Sequence, residues 1–168
     1  LEGLLKEACP DGIVEANVKD VDEETKKESE QHFLSRAYKR YQPEKENSLF
    51  ANRSFFSSAC CKLLPMKCIQ GQQFDTHIKR GEDSIFMYGI SWRVKHIKVA
   101  APNCVYYVRK RHNSAGRRSI SFATKTFEFL SQSSRYTCMY LKHIQQNDLK
   151  FYLSRIAGTF YNKLIQRH

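Results

Sequence analysis

The first clear hydrophobic pattern along this chain is helical. Between residues 22 and 42, the apolar residues Phe33, Ala37 and Tyr41 recur at i, i+4 and i+8, which predicts an amphipathic helix. Acidic residues fill its first turns and basic residues its last, as the helix dipole favours. Pro43 then ends the helix, because proline cannot continue it.

A second helix is predicted over residues 148–166. Asp148 supplies an N-cap at its start, and apolar residues follow at helical spacing. The residues predicted to line its buried face are Leu149, Leu153, Ile156, Phe160 and Leu164.

Between residues 84 and 144 the pattern favours strands. Runs rich in β-branched and aromatic residues are separated by turn residues at Pro102, at Gly116 and around Ser131–Ser134. The predicted strand segments are 84–100, 103–112, 117–130 and 135–144. Together with the two helices they predict an α+β fold, in which an antiparallel β-meander packs against the C-terminal helix and an N-terminal helix precedes it. Residues 44–83 are compatible with one helix or two short strands.

Charge divides the chain into two parts. Residues 1–31 hold ten acidic and four basic residues, for a net charge of −6, whereas residues 32–168 hold seven acidic and twenty-four basic residues, for a net charge of +17. We therefore expect an acidic tail or leading segment over 1–31, dispensable for folding up to about residue 20, and a basic binding domain over 32–168. The acidic segment is expected either to be an exposed spacer or to fold over the basic domain.

The number of cysteines, six, does not by itself show whether the protein is secreted or intracellular. An even count and the sequon Asn52-Arg53-Ser54 would suit a secreted chain, but residues 1–12 lack the pattern of a signal peptide and no apolar run approaches the roughly 20 residues of a membrane-spanning helix. We expect a cytoplasmic or nuclear protein. A zinc site from Cys60, Cys61, Cys68 and His77 can be drawn, but no C-x-x-C pair supports it, and we expect no metal and no cofactor.

No pattern of catalytic residues is present. Outside the acidic segment only seven acidic residues remain, and no paired carboxylates, H-E-x-x-H motif, phosphate-binding glycine loop or nucleophile elbow occurs. Asp75-Thr76-His77 can orient an imidazole, but the match is only three residues long and a solvated loop is the better explanation. We expect a protein that is not an enzyme.

The order of elements over about residues 89–165 resembles the kinase-associated domain found at the C-terminus of some serine/threonine kinases, including AMP-activated kinase catalytic subunits. The resemblance runs from Trp92 through the strand NCVYYVRKR, a turn at Gly116, the segments ISFATKTFEF and YTCMYLKHI, and the final helix. Residues 70–90 depart from it, because that family has a regular helix there and Gly71, Gly81 and Gly89 argue against one here. Polo-box and pleckstrin-like domains also end a meander with a helix. The resemblance implies a non-catalytic module that binds anionic lipid or a partner subunit and restrains a kinase.

A basic body of this kind favours an anionic partner, which leaves two functions open. The first is a regulatory domain that binds a phospholipid surface or an acidic protein, and the second is a nucleic-acid-binding domain that uses a basic, aromatic-bearing sheet face. The residues predicted to contact the anion are Arg93, Lys95, Lys98, Arg109, Lys110, Arg111, Arg117 and Arg118, and the candidates for base stacking are Trp92, Tyr106 and Tyr107. Ser121 follows this basic cluster and is a candidate for phosphorylation that would weaken the contact.

Overall fold

One stretch of chain, residues 12–22, supplies the middle strand of two small sheets. In the computed structural model, which describes residues 1–110 and 121–165, the elements of the first sheet are β1 (Gly12–Glu15), β4 (Lys62–Leu63) and β5 (His96–Val99), in the order β4-β1-β5. The elements of the second are β2 (Asn17–Asp22), β3 (Glu28–Ser29) and β6 (Val105–Lys110), in the order β3-β2-β6. Both sheets are mixed.

The long-range pairing within both sheets is parallel. Gly12 lies opposite His96 at the start of the β1–β5 pair, and β2 pairs with β6 in the same direction. The short strands β4 and β3 run antiparallel to β1 and β2. Ala16 separates β1 from β2. Its N–H donates to the Cys61 carbonyl oxygen at 2.8 Å, so the residue between the two sheets is also hydrogen-bonded.

Helices account for most of the remaining structure. Three of the helices start at a residue whose side chain accepts from a main-chain N–H of the first turn, namely His32, Ser121 and Asp148. The helices of the described residues are α1 (Glu2–Leu5), α2 (Phe33–Lys39), α3 (Met66–Ile69), α4 (Glu82–Ser91), α5 (Phe122–Lys142) and α6 (Leu149–Phe160), with 3₁₀ turns at Pro43–Lys45 and Arg53–Ser57 and a π-helical turn at Tyr161–Ile165.

Helices α5 and α6 form an antiparallel hairpin. The Phe129 and Phe160 rings lie 5.6 Å apart near one end, and Tyr140 stacks on Tyr152 at 4.5 Å near the other. The hairpin packs on α4 through Tyr88, whose ring is 5.0 Å from that of Tyr136. Aromatic pairs of this geometry add to the burial energy of the rings.

The core lies where the sheets, α4 and the hairpin meet. Phe151 of α6 packs edge-on against Phe56 at 5.2 Å, which joins the hairpin to the 3₁₀ turn. Ile13, Val18 and Ile97 contribute the apolar side chains of the sheets and are completely buried. The core therefore draws on residues from both ends of the chain.

The α+β class is confirmed, as are an N-terminal and a C-terminal helix. The N-terminal helix begins at Phe33 and not near residue 22, because residues 17–29 form β2, a turn and β3. It ends before Pro43, as predicted.

The strand pairing differs from the predicted meander. Of the predicted strand segments, 103–112 contains β6 and 84–100 contains β5, but residues 84–91 belong to α4, and the described parts of 117–130 and 135–144 belong to α5. Side chains at Gln132 and Tyr136 face the interior at helical spacing, a pattern that the β-branched and aromatic composition of this stretch obscures. In α4 nearly every side chain is buried, so the segment has no polar face to mark it as a helix. Two segments of the kinase-associated resemblance, ISFATKTFEF and YTCMYLKHI, thus fall largely within a helix.

The C-terminal helix presents a different face from the predicted one. Phe151 and Thr159 are buried, whereas Leu149, Leu153 and Phe160 are exposed. Ile156 is half-buried and packs against the core, so one residue of the predicted face is in place. Within the described residues, no helix combines the length and the apolar character needed to cross a membrane.

The acidic segment is built into the fold. Ile13 and Val18 are completely buried, and β1 and β2 each pair with two neighbours. This disagrees with the expectation that residues 1–20 are dispensable for folding, because their removal would take out the middle strand of the first sheet and four of the six residues of β2.

Candidate functional site

Three of the sheet cations that the sequence singled out are already paired with carboxylates of the acidic segment. The nitrogen–oxygen distances are 3.8 Å for Lys95–Asp11, 3.5 Å for Arg109–Glu23 and 2.8 Å for Lys110–Asp20. The acidic segment therefore contacts the basic part of the chain through the strands that it contributes to both sheets. These pairs offset the charge that an external anion would otherwise neutralise.

Arg93 and Trp92 make contacts within the fold. The Arg93 guanidinium donates to the carbonyl oxygens of Cys68 and Gln70, at 3.2 and 2.6 Å, and lies 4.6 Å from the centre of the Trp92 ring. Trp92 in turn stacks on His143 at 4.4 Å. Both residues hold α3 and the end of α5 against α4, and Trp92 is only partly accessible to a base. Lys98 lies in β5, half-buried.

Tyr106 and Tyr107 are exposed on β6 but do not form one platform. Neighbouring residues in a strand point to opposite faces, so the two rings cannot stack the same strand of bases. Arg111, Arg117 and Arg118 lie outside the described residues. Ser121 is exposed, and its hydroxyl caps α5 by accepting from the Thr124 N–H at 3.2 Å.

The candidate metal and glycosylation residues are held apart or buried. Among the described residues, no group of three or more histidine, cysteine or acidic side chains lies close enough to hold a metal ion. Cys68 is buried against the Arg93 carbonyl, and His77 is exposed beside Asp75. The side chain of Asn52 is buried and donates two hydrogen bonds, so the sequon is not an accessible acceptor.

A different surface gathers cations with no acidic residue among them. Three clefts of about 440, 90 and 310 Å³ adjoin one another, since the first two share Arg40, Ala51 and Asn52 and the last two share Arg53 and Ser54. No aspartate or glutamate belongs to the described residues that line them. We call this surface the basic groove, and its five cations are Lys45, Arg40, Arg53, Arg155 and Lys163.

A buried asparagine shapes the first part of the groove. The Asn52 amide donates to the carbonyl oxygens of Lys45, at 2.8 Å, and Ser48, at 3.0 Å. These bonds close the loop that follows α2, and the buried side chains of Leu49 and Phe55 anchor it to the core. The local hydrogen bonds therefore fix the positions of Lys45 and Arg53 relative to Arg40 at the end of α2.

Exposed aromatic rings accompany these cations. Phe33 lines the middle cleft and Phe50 lines the first, and both are exposed. The Arg53 guanidinium lies 5.0 Å from the centre of the Phe50 ring and donates to the Phe50 carbonyl at 3.2 Å. The Arg53 cation is therefore held against the Phe50 ring at the protein exterior.

Arg155 of α6 occupies the third cleft, which we call the Arg155 cleft. Its guanidinium donates to the Arg53 carbonyl at 3.2 Å, to the Ser57 hydroxyl at 3.1 Å and to the Ser84 hydroxyl. The Ser84 hydroxyl also shares a 2.6 Å hydrogen bond with Tyr136. All these partners are neutral, and the Nε atom of Arg155 is buried with no hydrogen-bond acceptor among the described residues.

Two further features shape the Arg155 cleft. Gly81 lines it as the N-cap of α4, in the left-handed conformation (φ +88°) and without a side chain to cap the helix. The first main-chain N–H groups of α4 thus start at the wall of the cleft. Lys163 lies at the other side, where Glu128 offsets its charge at 2.6 Å.

Sequence reasoning missed the groove because its cations are far apart along the chain. Lys45 and Arg155 are isolated in sequence, whereas the residues around Arg109 form a conspicuous run. The one available clue was the scarcity of acidic residues from position 47 to 74, where the sequence contains none. That stretch includes Arg53 and the loop that forms the wall of the groove.

The comparisons with known proteins give no relative for this fold. No protein-family model matches the chain, and no curated protein or solved structure matches it significantly.

Proposed function

We propose that the protein is a non-catalytic binding module that holds a single strand of nucleic acid in the basic groove. The observation that carries this proposal is the row of adjoining clefts lined by five cations, of which only Lys163 has a carboxylate partner among the described residues. A row of cations along a groove matches the regular spacing of charge in a phosphate backbone.

The exposed aromatic residues favour a nucleic acid over other polyanions. Phe33 and Phe50 lie in the groove beside Arg40 and Arg53, so a base can stack on a ring while its phosphate meets a guanidinium. Each such stack contributes about 1–3 kcal/mol and does not depend on base identity. We therefore expect weak sequence preference.

The shape of the surface supports a chain-like ligand. A flat bilayer reaches the rim of a depression but not cations inside it, and Arg155 hydrogen-bonds to groups within the cleft. The sheet surface is a poorer candidate, because Arg109 and Lys110 already have carboxylate partners.

The test is fluorescence anisotropy with labelled single-stranded DNA and RNA of about 12 nucleotides, a length typical of such sites. Arg40→Glu combined with Arg53→Glu should weaken binding by well over tenfold, because two attractive contacts become repulsive. If the four cations other than Lys163 contact phosphates, the logarithm of the affinity should fall with the logarithm of salt concentration with a slope of about −2.8, and the double variant should have a shallower slope.

The matched control is Lys142→Glu combined with Lys150→Glu. Both lysines are exposed and neither lines the groove, so the net charge changes equally while the groove is intact. Phe50→Ala should weaken binding without changing the salt slope. Equal losses in the two charge variants would contradict the proposal, and so would binding to anionic phospholipid vesicles with no binding to either oligonucleotide.

A further inference from the structure

The three clefts of the basic groove differ in how their charge is compensated. Arg155 is partly buried, and every group it contacts is a neutral oxygen. A guanidinium removed from water without a carboxylate partner is electrostatically unfavourable, so the cleft around it favours an anion. Arg53 lies beside it and also has no carboxylate partner among the described residues.

The Arg155 cleft is also at one end of the groove. It shares Arg53 and Ser54 with the middle cleft and shares no lining residue with the first. A strand lying along the groove therefore brings its end to this cleft. At about 310 Å³ the cleft is within the range of pockets that hold small molecules, and it is large enough for a terminal nucleotide.

From these observations we infer that the Arg155 cleft binds the terminal phosphomonoester of the strand. This inference rests on the proposed function of the groove. A terminal phosphate carries nearly two negative charges at neutral pH and three acceptor oxygens, whereas an internal phosphodiester carries one charge. The stronger anion matches the cleft in which the charge of the partly buried Arg155 guanidinium is not offset by a carboxylate of the described residues.

Donors for such a phosphate come from several elements. The guanidinium of Arg155 supplies the positive charge, and the Ser57 hydroxyl can donate its hydrogen. The start of α4 at Gly81 adds main-chain N–H groups, although Glu82 and Asp83 in its first turn offset the positive end of the helix. No covalent step is involved, because the site holds the phosphate and contains no nucleophile or base placed to attack it.

The experiment compares three versions of one labelled oligonucleotide, which carry a 5′-phosphate, a 3′-phosphate or hydroxyl groups at both ends. We expect the protein to prefer one phosphorylated end by about tenfold, and the two phosphorylated versions identify which end is bound. Arg155→Lys keeps the charge but loses the flat fork of donors, so the preference should fall to near one.

A second variant covers the case in which Arg155→Lys does not fold. Ser57→Asp places a carboxylate in the cleft beside Arg155 and should also abolish the preference, whereas Ser134→Asp, exposed on α5 and outside the groove, should retain it. Equal binding of all three oligonucleotides by the unaltered protein would overturn this inference and leave the proposed function standing. Failure to bind any of them would overturn both.

Discussion

The guanidinium of Arg155 donates a hydrogen bond of 3.2 Å to the main-chain carbonyl of Arg53, across 102 positions of sequence. The bond ties α6 to the 3₁₀ turn at Arg53–Ser57 and holds the partly buried Arg155 guanidinium in a cleft that no aspartate or glutamate of the described residues lines. A guanidinium withdrawn from water without a carboxylate partner is unfavourable in the free protein. Bound anions should therefore stabilise the fold.

Removal of residues 1–20 should unfold the protein. The deletion takes away β1 and four of the six residues of β2, which are the middle strands of the two sheets, together with the buried side chains of Ile13 and Val18. Far-ultraviolet circular dichroism and a thermal melt measure the effect. A cooperative transition within a few degrees of that of the full chain would contradict the central position of these strands.

A single substitution tests the same strand without a deletion. Ile13→Ala should lower the free energy of unfolding by about 2–5 kcal/mol, because it opens a cavity at a completely buried position. Leu5→Ala removes an exposed leucine from the same segment and should cost less than about 1 kcal/mol. Chemical denaturation of both variants gives the comparison.

The two faces of α6 should respond differently to truncation. Phe151→Ala should cost about 3–5 kcal/mol, since the ring packs against Phe56 and Tyr88 in the core. Phe160→Ala should cost far less, because Phe160 is exposed and contacts mainly Phe129. The reverse order of stabilities in urea would show that the helix presents the face predicted from its sequence.

A buried ion pair should make stability depend on pH. The side chains of Glu15 and Lys62 are completely buried, with 2.9 Å between the ammonium and a carboxylate oxygen, and burial raises the pKa of Glu15 from 4.5 to about 7 because lost hydration outweighs the attraction of Lys62. Between pH 4.5 and 7 the unfolded chain loses this proton while the folded chain keeps it. The free energy of unfolding should therefore fall as pH rises through this window, by about 3 kcal/mol at most, and not fall further above it.

The double variant Glu15→Leu with Lys62→Met isolates this contribution. Burial lowers the pKa of His32 and of His143, which adds stability with rising pH and opposes the effect of Glu15. The difference between the unaltered protein and the double variant removes the histidines from the comparison. As a control, Glu28→Gln with Lys19→Met alters an exposed ion pair. The pH dependence of this control variant should differ little from that of the unaltered protein.

Neighbouring cysteines should differ sharply in reactivity. Burial raises the pKa of the Cys61 thiol to about 12, with Glu15 adding to the shift, so almost no thiolate is present at neutral pH. Cys60 is exposed. Timed alkylation followed by mass spectrometry should modify Cys60 and the exposed Cys138 first and leave Cys61 unmodified until the protein unfolds. Equal rates at Cys60 and Cys61 would contradict the burial of Cys61.

Local patterns in the sequence predicted some elements well. The C-terminal helix follows from the Asp148 cap and the apolar spacing after it, and β6 follows from its run of valine and tyrosine. The class α+β follows from finding both kinds of pattern. In each of these elements the local preference for helix or strand agrees with the final structure, so a short segment of sequence is sufficient to predict it.

Other elements depend on contacts between residues far apart in the sequence, which no short segment of the chain contains. α4 is buried on all sides, so it lacks the polar face by which a helix is recognised, and β1 is too short to show alternation. α5 forms from strand-favouring residues because Tyr136 and Gln132 pack inward against α4 and its preceding turn. The basic groove also depends on long-range contacts, because Arg40, Arg53 and Arg155 line adjoining clefts only when the helices pack.

The parallel pairing of β1 with β5 also has a consequence for the order in which the chain acquires structure. Gly12 meets His96, so the first strand made must wait for a partner synthesised 84 residues later. At ribosomal rates this interval is about 4–17 s, much longer than local helices need to form. Until β5 and β6 are made, β1 and β2 each lack their parallel partner, so the segment 13–18 has an unpaired edge that is open to chaperones and to aggregation.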